Sequence, residues 1–134
     1  MFDVKTRVLV VDDMLTMRKI VSKACREIGF TDITEAADGA FGWQAITDAK
    51  APIGLIISDW NMPNCTGLEL LKRIRGDKRF VHLPFVLVTA EAEQQQVVEA
   101  LKAGVDGYVV KPFTPQNLKT KLEAVHAKRT SDGK

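Results

Sequence analysis

Three aspartates, a threonine and a lysine stand at the ends of short apolar runs. Asp12 and Asp13 follow the run 7–11, Asp59 follows 55–58, Thr89 and Ala90 close 85–89, and Lys111 follows 107–110. Carboxylates brought together repel one another unless a cation lies among them. Mg²⁺ is the natural candidate, a hard ion that takes oxygen ligands and keeps some of its waters. A carboxylate beside Mg²⁺ and a lysine can act as a metal ligand or as a nucleophile. An attacking carboxylate would yield an aspartyl phosphate. Such a transfer needs mainly positioning and neutralisation of the phosphoryl oxygens, which Mg²⁺, Lys111, the Thr89 hydroxyl and nearby backbone N–H groups could supply. Any one Asp after a strand is commonly a helix cap or turn residue. Three of them at strand ends, with Thr and Lys alongside, argue for a site. His82 and His126 stand outside these positions and read as surface residues, so no histidine base is on offer.

The groups converge only if the runs lie side by side and point the same way. Runs 7–11, 55–58 and 85–89 are unbroken and rich in β-branched residues, as strands buried on both faces of a parallel sheet are. Run 33–36 is shorter and more polar, which predicts an edge strand, and 107–110 is the fifth strand. Helical patterns separate them. Met17, Ile20, Val21, Ala24, Cys25 and Ile28 mark one apolar face, stopped by Gly29. Residues 41–47 form a weaker second helix. Thr66 and Glu69 have the spacing of a capping box for the third. Val97, Val98 and Leu101 mark a fourth, closed by Gly104, and Thr114-Pro115 opens a fifth carrying Leu118, Leu122 and Val125. The tail after Ala127 reads as a short polar, frayed end. Alternating strands and helices predict an α/β doubly wound sheet, whose ligands sit beyond the carboxyl ends of the strands.

Composition narrows the function classes. The chain has 134 residues, 46% hydrophobic and 27% charged, enough for one substantial core. Its net charge of +2, from 19 basic and 17 acidic residues, argues against a nucleic-acid partner. No apolar run is long enough to span a membrane, and residues 1–7 lack the apolar core of a signal peptide. Cys25 and Cys65 have no metal-ligand spacing and read as reduced thiols of a cytoplasmic protein.

Several motifs run in order through residues 7–127: Val11-Asp12-Asp13, Thr16-Met17-Arg18, Ser58-Asp59-Trp60-Asn61-Met62-Pro63, Gly67-Leu68-Glu69-Leu70-Leu71, Thr89-Ala90-Glu91-Ala92 and Tyr108-Val109-Val110-Lys111-Pro112-Phe113. Together they resemble the response-regulator receiver family, most of all its stand-alone chemotaxis branch. The resemblance implies one receiver domain over residues 1–134, with a core at about 6–127, and a flavodoxin-like parallel sheet of five strands in order 2-1-3-4-5. It implies Asp59 as phosphoacceptor, and Mg²⁺ held by Asp12, Asp13, Asp59 and the backbone carbonyl of Asn61. Thr89, Ala90 and Lys111 are implied to bind the phosphoryl group, and Tyr108 to turn inward as a switch. Asn61 and Glu91 would set the rate of self-dephosphorylation. Glu93, Val97, Tyr108 and Lys121 would form the partner face. The bond from Lys111 to Pro112 is implied to be cis. The protein would be a monomeric switch rather than an enzyme, phosphorylating itself from small donors and losing the group unaided. A histidine kinase would be its donor and the flagellar motor switch its target, with a phosphatase as a further partner class.

The chain departs from the family pattern in places. Cys65-Thr66 stands where Met-Asp is usual, and Cys65 reads as a packing or loop residue. Met14 replaces a frequent Phe, and Glu93-Gln94 replaces lysines common in the chemotaxis branch. The connection 48–54 looks slightly long. Trp60 reads as a loop aromatic, Trp43 as partly buried, the leucines of the third helix as core, and Lys119, Lys121, Lys128 and Arg129 as a solvated face. With no effector segment after Ala127, output would pass through protein binding. Two alternatives stand beside this reading. One is a phosphate sink or relay without motor contact. The other is a Mg²⁺-dependent hydrolase forming an aspartyl phosphate, but such enzymes place an Asp where Asn61 stands and need a lid.

Overall fold

The structure is a computed structural model that describes residues 2–48, 52–62, 65–90 and 94–131. Among the described residues, five strands alternate with five helices: β1 (Arg7–Val11), α1 (Leu15–Ile28), β2 (Asp32–Ala36), α2 (Gly39–Thr47), β3 (Leu55–Asp59), α3 (Gly67–Arg75), β4 (Phe85–Thr89), α4 (Gln94–Ala103), β5 (Gly107–Val110) and α5 (Pro115–Ser131). The strands form one parallel sheet in the order β2-β1-β3-β4-β5, as expected. Four of its five strands begin at the expected residue, and β2, which begins one residue earlier than expected, lies at an edge.

Alternation along the strands divides the core in two. Val8, Val10, Leu55, Ile57, Val86, Val88 and Val109 face α1 and α5, where they meet Val21, Ala24, Cys25, Leu118, Leu122 and Val125. Leu9, Val11, Ile56, Phe85 and Leu87 face the other way, against Ile46 of α2, Leu70, Leu71 and Ile74 of α3 and Ala100 of α4. A two-residue period in the strands thus becomes two helix layers. The leucines of α3 are core, as predicted, and the Thr66–Glu69 capping box is formed in both directions. Asp38, which the sequence reading passed over, caps α2 by accepting from the Phe41 N–H at 2.9 Å. Gly29 and Gly104 take the positive φ that ends α1 and α4.

Several expectations need correction. Ile20 is 46% exposed, because α1 turns Val21, Ser22 and Cys25 to the sheet. Val98 and Leu101 are 41% and 63% exposed, because α4 approaches the sheet through the small Ala100. Residues 128–131 do not form a frayed end: α5 runs on to Ser131. Arg129 leaves the solvated face, lying 3.6 Å from Asp106 and donating to the His82 carbonyl. Lys121 is half-buried, its stem lying over Gly107. His126 is half-buried too, edge-on to Phe2 with centroids 5.0 Å apart. Trp43 is partly buried, as read, between Arg73 and Phe80. Cys65 packs onto Gly39, where a Cβ would stand 2.5 Å from its Sγ. Burial pushes the Cys25 thiol up to about 12, which fits an inert core cysteine. Glu91, Glu93 and part of the connection 48–54 lie outside the described residues.

Candidate functional site

The loop after β1 bends through Asp12, whose Oδ1 accepts the Met14 N–H at 2.9 Å. This short side-chain turn stands in for a cap on α1, since Met14 itself offers none. Asp12 is buried and Asp13 exposed. Asp59 closes β3, 8% exposed, its Oδ1 accepting the Trp60 N–H at 2.9 Å. Its backbone is pressed from the other side by Gly67. A Cβ there would lie 2.2 Å from the Asp59 carbonyl oxygen, so only glycine lets α3 start at this point. Glycine in the capping-box motif was visible in the sequence, but its closeness to Asp59 was not.

The carboxylates of Asp12, Asp13 and Asp59 each offer an oxygen within 4.8 Å of the others. Lys111 Nζ lies 3.3 Å from Asp59 Oδ1 and 3.4 Å from Asp12 Oδ2. Its backbone N–H donates to the Thr89 carbonyl at 2.7 Å, tying the ends of β4 and β5 together. The Lys111–Pro112 bond is cis. Burial raises the Asp59 carboxyl above its ordinary range. Lys111 opposes the shift and Asp12 adds to it. Three hard oxygen donors, left with one lysine to balance them, suit a small divalent cation such as Mg²⁺.

Thr89 is fully buried at the end of β4, and Ala90 is exposed beside it. Asn61 is exposed two residues past Asp59. Trp60, expected in a loop, is only 8% exposed and packs edge-on to half-buried Tyr108, with centroids 6.4 Å apart. The indole reaches over β4 from the end of β3 to β5. Val97 of α4 and Lys121 of α5 are half-buried, and Val98, Leu101 and Val110 are exposed on α4 and β5. The structure therefore brings together Asp12, Asp13, Asp59 and Lys111, with Thr89 joined through the backbone.

The model of the response regulator receiver domain matches residues 8–123. This chain belongs to the response-regulator receiver family. Chemotaxis protein CheY1 of Helicobacter pylori is 47% identical over 119 residues, 89% of this chain and 95% of that protein. Chemotaxis protein CheY of Pseudomonas aeruginosa is 46% identical over 119 residues, covering 89% and 94%. Among solved structures, chemotaxis protein CheY4 of Vibrio cholerae superposes with a TM-score of 0.82 at 34% identity, covering 90% of this chain and 98% of that one. A CheY-like receiver domain protein of Methanospirillum hungatei gives a TM-score of 0.82 at 26% identity, covering 95% and 98%. The acidic cluster of Asp12, Asp13 and Asp59 fits a receiver-domain metal site.

Proposed function

We propose that this receiver is a two-component response regulator of chemotaxis. It takes a phosphoryl group from a histidine kinase onto Asp59 and signals through phosphorylation-dependent protein binding, with the flagellar motor switch as target. The carrying observation is the cluster of Asp12, Asp13 and Asp59 with Lys111 Nζ 3.3 Å from the acceptor oxygen. Its chemotaxis relatives, at 46–47% identity over most of the chain, support the setting. Residues 1–134 would act as one receiver unit in the cytoplasm, as a monomer, and as a switch rather than an enzyme with a separate substrate.

Asp12, Asp13, Asp59 and the Asn61 carbonyl would hold Mg²⁺, which neutralises charge on the phosphoryl oxygens when bound. The Asp59 carboxylate attacks phosphorus, the P–N bond of the donor phosphohistidine breaks, and an acyl phosphate forms on Asp59. Lys111 balances the added charge, and the Thr89 hydroxyl and Ala90 N–H bind the new oxygens. Asn61 and Glu91 set access of water to the acyl phosphate. Thr89 moves toward the phosphoryl group, Tyr108 follows inward, and the face carrying Glu93, Val97, Tyr108 and Lys121 changes shape. A phosphatase would act on the same group.

Incubation with Mg²⁺ and acetyl phosphate should add one base-labile phosphoryl group, read by intact mass. The Asp59→Asn variant should gain none. Equal labelling of the variant would overturn the assignment.

A further inference from the structure

Each polar atom of Asp12 has a partner. Its N–H donates to the Ala36 carbonyl at 3.1 Å, Oδ1 accepts from Met14 N–H, and Oδ2 faces Lys111. The fourth atom, its carbonyl oxygen, accepts from the Arg18 guanidinium at 2.8 Å. The Nε of that same guanidinium donates to Glu35 Oε1 at 3.1 Å, and Lys19 Nζ takes Glu35 Oε2 at 2.9 Å. Arg18 lies on α1 and Glu35 on β2, in register with Val10 two residues before Asp12. Both Arg18 and Glu35 side chains are largely covered, 16% and 20% accessible. Burial works to raise the Glu35 carboxyl, but the hydrogen bonds from Lys19 and Arg18 outweigh it and hold it below the usual carboxylate range.

We infer that Arg18, aimed by Glu35, is a positioning residue for the cation site: it fixes the Asp12 backbone and so the direction in which the Asp12 carboxylate meets the metal. This rests on the Mg²⁺ reading proposed above. A planar guanidinium can serve two acceptors at a fixed angle, and here one is the Asp12 carbonyl and the other the edge-strand carboxylate. The β1–α1 loop is thereby pinned from β2 as well as from Lys111. Partners that orient metal ligands in this way commonly matter about tenfold to metal affinity.

The sign of the effect separates positioning from simple electrostatics. Arg18 is a cation beside a cation site, so its field alone opposes Mg²⁺, and removing it would tighten binding. Positioning predicts the reverse. MgCl₂ is titrated into the parent, Arg18→Met, Arg18→Lys and Glu35→Gln, all carrying Trp43→Phe so that Trp60 reports alone. The readouts are Trp60 emission and the Mg²⁺-induced rise in Tm. Expected is about a tenfold weaker Kd for Arg18→Met. Arg18→Lys, which keeps the charge but not the fork, should be nearly as weak. Glu35→Gln should be milder, and should add nothing to Arg18→Met. Mg²⁺ binding that is unchanged or tighter in Arg18→Met, with only a lower Tm in the absence of Mg²⁺, would overturn the inference and leave a purely structural ion pair. A parent that neither changes emission nor gains Tm would instead remove the metal site, and with it the inference.

Discussion

At the scale of single residues, Asp59 sits where its ionised form is disfavoured. Burial raises its carboxyl most, Lys111 recovers part of that cost, and Asp12 adds to it. An acid whose pKa is raised on folding adds stability below its unfolded pKa and loses it as pH climbs through the folded one. Without Mg²⁺ at neutral pH, Asp59→Asn should therefore melt above the parent, each kcal/mol relieved being worth about 4 °C in a domain of this size. The gap should close as pH falls toward the ordinary carboxylate value of 3.8. Thermal melts in a chelator across that range test it, and a gap independent of pH would refute the cause given. Asp12, Asp13, Asp59 and Lys111 were legible in the sequence because parallel strands bring their carboxyl ends to one edge. Gly67 and Arg18 were visible only as letters in motifs. What each does depends on distances across loops: the space a missing Cβ leaves beside Asp59, and a guanidinium reaching back to the Asp12 carbonyl.

At the scale of elements, the strands were the most legible part, since an unbroken β-branched run admits few other readings. Helix faces were less so. Val98 and Leu101 look like core marks until Ala100 is seen to make the close approach, and Ile20 fits the apolar spacing of α1 yet faces out. The end of α5 was misread because its anchors are distant in sequence. Arg75 of α3 donates to Asp106 at 2.9 Å and to the carbonyls of Gly104 and Leu83, while Asp106 also accepts the Phe85 N–H and faces Arg129 at 3.6 Å. One carboxylate thus joins α3, α5 and the starts of β4 and β5. Asp106→Ala should leave two guanidiniums and a backbone N–H without it, a loss of about 2 kcal/mol once the pair's partial exposure is allowed for. Arg129→Ala should cost about 1 kcal/mol, because Arg75 keeps its carboxylate. Urea melts give both values. Equal losses would mean that Asp106 serves α5 alone.

At the scale of the whole molecule, the doubly wound order places the carboxylates at one edge and the exposed residues of α4 and β5 at one side, and the question is how the first region informs the second. Two physical links leave Asp59. The Trp60 backbone N–H donates to Oδ1 of the carboxylate that would take the phosphoryl group, and the Trp60 ring packs edge-on to Tyr108. Lys111 touches Asp59 with its ammonium and Thr89 with its backbone. A phosphoryl group on Asp59 would disturb both links, so the bridge from β3 over β4 to β5 should move as a unit. A ligand can shift a two-state equilibrium only by its differential affinity for the states, and a near-complete shift takes about 5 kcal/mol. Beryllofluoride with Mg²⁺, as a phosphoryl mimic, should therefore change amide chemical shifts at Trp60, Thr89 and Tyr108 and onward through Val97 and Val98. Thr89→Ala should still bind the mimic while Tyr108 and α4 respond weakly. Tyr108→Ala should cut the response of α4 and leave the Trp60 amide still reporting the mimic. Shifts confined to the neighbourhood of Asp59 in the parent would mean that the two links are static packing and that the group on Asp59 is stored rather than signalled.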